Sequence, residues 1–433
     1  MRDLLVLLVV YLSLPAVVVS PFFGLLVYAW LAYMRPQDVA WSLDESRLSL
    51  LVALLLLAGL VIGMIRRREK LLQLRAETVL LMAMVGWVAL SCFFAVNQTR
   101  TWTYWEMLAK GALIAVLTTG LVRNLKRLQI LFSVIAMSLG LLGLKYALFG
   151  LVRGGAKIHT GPGGFMTDNN GFAAALVMTI PLLTGVAITG EKRWLRISAS
   201  ICAVGCIVAV IFTFSRGGLL GLGVVGILLI LRGKKPLLYL AVLIIGLGGT
   251  FLLTSESFKE AYTERAETIS EYQEDSSAMG RLNAWKTAIE VASDYPLFGV
   301  GLGNLPVVYP QYSDAKARVA HNSFFQLLAE AGFPAALMWV MLLVVSFLRL
   351  QLVCMDASAE PTILYFARSL QISLAGYAVG AMFLDLALFD LFYQVAVMGV
   401  CLQAVAKAEP RAIPSARQQK TEQWWREAPV SAQ

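Results

Sequence analysis

Long apolar runs alternate with short polar connections along nearly the whole chain, and the runs reach the roughly 20 residues that a helix needs to cross a bilayer. They lie near 48–65, 78–96, 108–122, 128–149, 171–189, 197–214, 217–231, 237–253, 322–348, 363–383 and 388–405, with one further stretch at 4–34. This pattern predicts an all-α polytopic membrane bundle of about twelve transmembrane helices. Pro15 and Pro21 interrupt the first stretch, so its length fits one broken crossing or a hairpin of two short helices. One crossing is the expectation, kept in the mature chain because no small-residue cleavage site follows it. The order predicts N-terminal membrane helices over 1–253, a loop over 254–320, C-terminal membrane helices over 321–406 and a disordered tail over 407–433 with Pro410 and Pro414.

The loop is longer than a connection requires and carries its own pattern. Leu282, Trp285, Ile289 and Ala292 recur at helical spacing with Asn283, Lys286 and Glu290 opposite, which predicts an amphipathic helix ended by Tyr295-Pro296. Gly299-Val300-Gly301-Leu302-Gly303-Asn304 lacks the strand and helix context of a dinucleotide fingerprint and predicts a tight turn or close backbone approach. Between Glu256 and Asp275 seven acidic residues stand against Lys259 and Arg265, a pattern that reads as a solvated helix face.

The chain is 58% hydrophobic, with a mean hydropathy of +0.72. Its 36 Lys+Arg against 27 Asp+Glu fall in clusters between apolar runs, so they read as topology signals and not as a nucleic-acid surface. Arg66/Arg67/Arg68/Lys70, Arg123/Lys126/Arg127, Lys192/Arg193/Arg196 and Arg232/Lys234/Lys235 occupy alternate connections. The positive-inside bias makes those connections cytoplasmic and assigns the long loop to the outer face. Cys92, Cys202, Cys206, Cys354 and Cys401 lie in or beside apolar runs and read as small buried hydrophobes, not as a metal site.

Three residues on the outer face carry candidate chemistry. Arg216, in Phe214-Ser215-Arg216-Gly217-Gly218, sits between two apolar runs, where an arginine is costly unless it snorkels or binds an anion. Arg281 opens the amphipathic helix, and His321 marks the boundary between loop and membrane helix. Two arginines and a histidine suit a diphosphate on a lipid carrier: guanidinium groups pair with phosphate oxygens, and a neutral imidazole takes the proton of an attacking hydroxyl. There is no Asp-x-Asp pair of the kind that holds a cation on a sugar diphosphate, so a metal-free site without cofactor is the expectation. His159, in the glycine-rich stretch Gly154 to Gly164, reads as a loop residue.

Ser215-Arg216-Gly217-Gly218, then Arg281 with Trp285 and Pro296-Leu297-Phe298-Gly299-Val300-Gly301, then His321-Asn322 leading to Glu330-Ala331-Gly332, resemble the ordered motifs of the O-antigen ligase and polymerase superfamily. Tyr33-Met34-Arg35-Pro36 and Asp168-Asn169-Asn170-Gly171 resemble a branch of O-glycosylation ligases linked to exosortase systems, in which an acidic residue usually stands at the place of Gly171. The resemblance implies a multi-pass inner-membrane enzyme that moves an assembled glycan from undecaprenyl diphosphate to an acceptor hydroxyl at the periplasmic face, with lipid A-core the first-choice acceptor. By it, Arg216 and Arg281 bind the diphosphate and His321 is the base. Asn170, Lys110 (below Trp102 and Trp105) and Asp390 are further substrate-binding candidates; Asp390 either orients His321 or pairs an arginine. The same motifs serve polymerases of O-antigen or exopolysaccharide and ligases that modify protein. A polysaccharide transporter or flippase is the rival of a different class, and the absence of a detectable internal repeat weighs against it.

Overall fold

The computed structural model describes residues 2–39, 43, 47–67, 72–233, 235–267, 276–356 and 358–408. Among these the regular elements are helical, apart from one isolated bridge between Thr160 and Asp168. Helices α1 (Arg2–Val19) and α2 (Pro21–Met34) precede the single turn α3 (Pro36–Val39). Then come α4 (Leu48–Arg67), α5 (Ala76–Ser91), α6 (Gln98–Leu121), α7 (Leu125–Val152), α8 (Asn169–Thr189), α9 (Arg193–Phe212), α10 (Arg216–Arg232) and α11 (Pro236–Leu253). The loop holds α12 (Glu256–Glu267), α13 (Ser276–Asp294) and the single turn α14 (Leu305–Val308), and the chain finishes with α15 (Ser323–Met355), α16 (Pro361–Phe383) and α17 (Asp390–Ala408). Eight of the described helices are long and apolar enough to cross a membrane. The chain is an all-α polytopic membrane protein.

Every apolar run read from the sequence contains a helix, but 4–34 contains two where one broken crossing was expected. Ser20 interrupts the helix and its hydroxyl caps α2, with Pro21 at the first helical position. The two helices fold back on each other. A Cβ at Gly24 would lie 2.8 Å from Val17, while α4 receives the bend where Gly59 meets Val18 and Pro21. The start of α2 places Phe22 under Arg127 at the beginning of α7, whereas Arg2 acts on Lys145 near the other end of α7. The hairpin reading is therefore the correct one. Chain hydropathy did not separate the two because no polar residue marks the bend beyond Ser20.

Helix α8 runs through the middle of the bundle between α7, α9, α10 and α16, and nearly all of it is buried. Small residues let its neighbours close up: a Cβ on Gly143 of α7 would meet the sulfur of Cys206 in α9 at 2.5 Å. Cys92, Cys202, Cys206 and Cys401 are buried and Cys354 partly so. At the other edge α15 packs on α5, α16 and α13.

The long loop rests on this bundle through the glycine turn. Gly299, Gly301 and Gly303 all have positive φ. A side chain at Gly301 would collide with Ala95 and Thr101 at 2.4 and 2.5 Å. The turn is stitched on both sides, by the N–H of Val96 to the Val300 carbonyl at 3.0 Å and by the N–H groups of Val300 and Gly301 to Ala329 and Glu330 at 3.0 and 2.8 Å. Those last two carbonyls are free because α15 is broken at Gly332 (φ 79°, ψ 174°), which splits a short upper piece from the long membrane piece. The close approach expected of the glycine run is present.

Helix α13 is present, as expected, and rests on the bundle through its small residues. Ala284, Ala288, Val291 and Ala292 are buried with Thr287, whereas Leu282 and Ile289 are exposed. Small side chains let α13 lie close on the upper piece of α15, a preference that outweighs hydrophobic size. Glu256 pairs with Lys259 at 2.7 Å on exposed surface; residues 268–275 of the acidic stretch and the tail from 409 lie outside the described residues.

Candidate active site at one end of the bundle

Three helices begin side by side at the end of the bundle that carries the loop, each with a side-chain cap. Asp168 caps α8, accepting from the N–H groups of Asn170 and Gly171 at 2.8 and 3.0 Å. Ser215 caps α10, accepting from Gly218 at 3.1 Å. Asn322 caps α15, accepting from Phe324 and Phe325 at 3.0 and 3.2 Å. Caps of these residue types satisfy N–H groups that have no carbonyl partner within the helix. The starts are tied together: Asn169 donates to the Thr213 carbonyl at 2.8 Å, joining α8 to the turn before α10. Asn322 donates to Met382 at 3.1 Å and Ser323 to Leu384 at 2.8 Å, joining α15 to the end of α16, against which Gly217 of α10 also packs. Neighbouring helix N-termini favour negative charge in front of them.

His321 immediately precedes the Asn322 cap and holds a left-handed backbone, φ 50°. That conformation costs a non-glycine residue roughly 1–3 kcal/mol and persists only where the surroundings impose it. Here they do. Trp285 donates to the Ala320 carbonyl at 2.8 Å, the Ala320 N–H donates to Gln326 at 2.6 Å, and Asn322 is pinned as described. The sequence folds this way because α13 presents an indole at the position where the chain must turn into α15.

The half-buried imidazole lies within electrostatic reach of Arg281, Arg318 and Asp168. Burial lowers its pKa from the ordinary value, the two arginines lower it further, and Asp168 acts in the opposite direction. Arg216 is the first helical residue of α10, at the same end and half-buried.

Residues 201–340 match the family model described as O-antigen ligase. That match supports membership in the O-antigen ligase superfamily. Residues 1–189 match a second model, a family of unknown function (DUF5935). No curated protein matches the chain. The O-antigen ligase match takes in Arg216, Arg281 and His321; Asp168, Asn170 and Lys110 fall within the N-terminal match, and Asp390 lies beyond both.

The structure brings together His321 and Arg281, sets Arg216 on the same end, and places Asn170 in the first turn of α8 beside the Asp168 cap. Two other candidates stand elsewhere. Lys110 pairs with Glu106 on its own helix, with more than half its side chain exposed. Asp390 lies against Gly111 and within electrostatic reach of Arg35, Tyr28 and Tyr33. Arg35 itself bonds Asp38 and presses on Gly163 and Gly164, locking the end of α2 to the stretch before α8. His159 is an exposed loop residue.

Arg318 and Asp168 were not among the candidates. The guanidinium of Arg318 lies against the backbone of Gly280, beside Arg281, so a third arginine joins the cluster. Its signal was present in the sequence as a basic residue three positions before His321. The role of Asp168 was hidden, because only folding brings the start of α8 to the end of the loop.

Proposed function

We propose that this chain transfers an assembled glycan from undecaprenyl diphosphate to an acceptor hydroxyl, with lipid A-core the first-choice acceptor, at the periplasmic face of the bacterial inner membrane. One observation carries the reading: a half-buried histidine within electrostatic reach of two arginines, at the end of the bundle where three helix N-termini and Arg216 meet. A neutral imidazole accepts a proton, and an array of fixed positive ends accepts a diphosphate. In the step proposed, His321 takes the hydroxyl proton as the oxygen attacks the anomeric carbon. The bond from that carbon to the diphosphate breaks, and the diphosphate leaves with the electron pair, stabilised by Arg216 and Arg281 with Arg318 beside them. The proton then passes from His321 to water. Polymerases and protein ligases run the same step on another acceptor.

The direct test is glycan transfer by purified protein supplied with lipid-linked donor. Because arginines supply the charge that a carboxylate-held cation would supply, turnover survives chelation with EDTA. Loss of turnover on chelation, restored by magnesium or manganese, would move that role to the acidic face of α12.

The pH profile offers a second test. A base works only when deprotonated, so a lowered pKa extends activity to more acid solution. The acid limb of kcat/KM then lies below the roughly pH 6.5 of free imidazole. Arg318→Gln removes one of the two cations and shifts the limb upward. A limb above pH 6.5, or one indifferent to Arg318→Gln, would contradict the assignment.

A further inference from the structure

Beside the arginine cluster is a separate recess, walled by Arg100 and Tyr104 of α6, Gly303 of the glycine turn, Gln326 and Glu330 of α15, and Asp385 between α16 and α17. It has about 40 Å³ of room for water-sized groups. At about 10–15 Å³ for each such group, that holds the hydroxyls along one edge of a sugar ring but not a whole ring. Its position follows from the chain around His321. Arg318 joins the arginine cluster, Val319 lines the recess, and His321 stands two residues further on. The far wall is attached to the same place, since Ser323 bonds both Leu384 and Leu386 at 2.8 Å.

The charges in the recess select its ligand. Glu330 is buried and already accepts from the N–H of Leu305 at 3.0 Å and from Gln326 at 2.7 Å. Asp385 keeps accessible surface in the recess, and Arg100 lies with its guanidinium 5.8 Å from the Tyr104 ring centre and close to Gly303. The carboxylate of Asp385 disfavours an anion, and the guanidinium disfavours a cation. A neutral polyol satisfies both, because its hydroxyls donate to the carboxylate and accept from the guanidinium, while the ring face of Tyr104 suits C–H groups. The depth of surrounding protein raises Asp385 to about 6.

We propose that this recess is the acceptor subsite, binding the hydroxyl-bearing edge of a sugar through Asp385 and Arg100 with Tyr104 against the ring. The proposal rests on the glycan-transfer reading for its biological meaning, and its test is separable from that reading. Full-length protein in nanodiscs is probed with lipid-free core oligosaccharide by saturation-transfer NMR in the absence of donor, and separately assayed for transfer. Wild type and His321→Ala give a binding signal; Asp385→Asn and Arg100→Gln lose it. In transfer, the same two variants raise the acceptor KM about tenfold or more, with the donor KM unmoved. Tyr104→Phe and Tyr104→Ala form a second pair, with binding kept by phenylalanine and lost by alanine, should either charge variant unfold early. An oligosaccharide signal absent from wild type, or equal in all variants, overturns the proposal, as does a donor KM that rises in step. Recess-dependent binding in a protein that transfers nothing would leave the subsite standing and remove the transfer reading.

Discussion

His321→Ala abolishes glycan transfer while leaving donor binding close to normal. A positioned general base contributes typically about 10² to 10⁴ in rate, and this one acts on the acceptor hydroxyl and not on the diphosphate. The backbone at His321 is left-handed, so the substitution also touches conformation. His321→Asn is therefore the companion variant, since asparagine tolerates that region well and is no base at neutral pH. Ligation in a deletion strain is compared with binding of a lipid-diphosphate analogue, with the membrane level of each variant checked. Near-normal ligation by a well-expressed His321→Asn protein would leave the arginines as the only supported part of the site.

Arg216→Ala and Arg281→Ala weaken donor binding as well as turnover. A guanidinium on phosphate stabilises the bound ground state and the departing diphosphate alike, and loss of one charged hydrogen-bonding partner costs about 1.5–3 kcal/mol, or roughly ten- to a hundredfold in affinity. Arg→Lys rescues poorly because a point charge does not reproduce the fork. The same analogue-binding measurement decides. Unchanged analogue affinity in both alanine variants, alongside lost turnover, would assign them to the transition state alone.

Hydropathy located the membrane helices because burial in lipid demands long apolar runs and leaves little freedom in where they stop. It did not read the α1–α2 bend, where the deciding event is the Ser20 cap followed by Pro21. Nor did it read all of the buried face of α13. Of the positions with helical spacing, Trp285 and Ala292 meet α15 together with Ala288 and Val291, and closeness of approach by such small residues carries little hydropathy signal. Arg216 and His321 stood out as candidates because each stands where an ionisable group is unusual, and Arg281 only through sharing their membrane face. Asp385 and Arg100 were not, because each looks ordinary in its own segment and becomes notable only when α6 and the α16–α17 connection face each other. Lys110 misled for the complementary reason: a lysine in an apolar run looked unusual, and Glu106, one turn away, already answers it.

The ties from Asn322 and Ser323 to Met382 and Leu384 also impose an order on biogenesis. A nascent chain that has emerged through α15 already contains Asp168, Arg216, Arg281 and His321, yet the carbonyls that hold the start of α15 belong to residues not yet made. This end of the bundle therefore closes only after the last turn of α16 has been made. Every earlier translation intermediate carries those charged side chains without the arrangement that these ties fix.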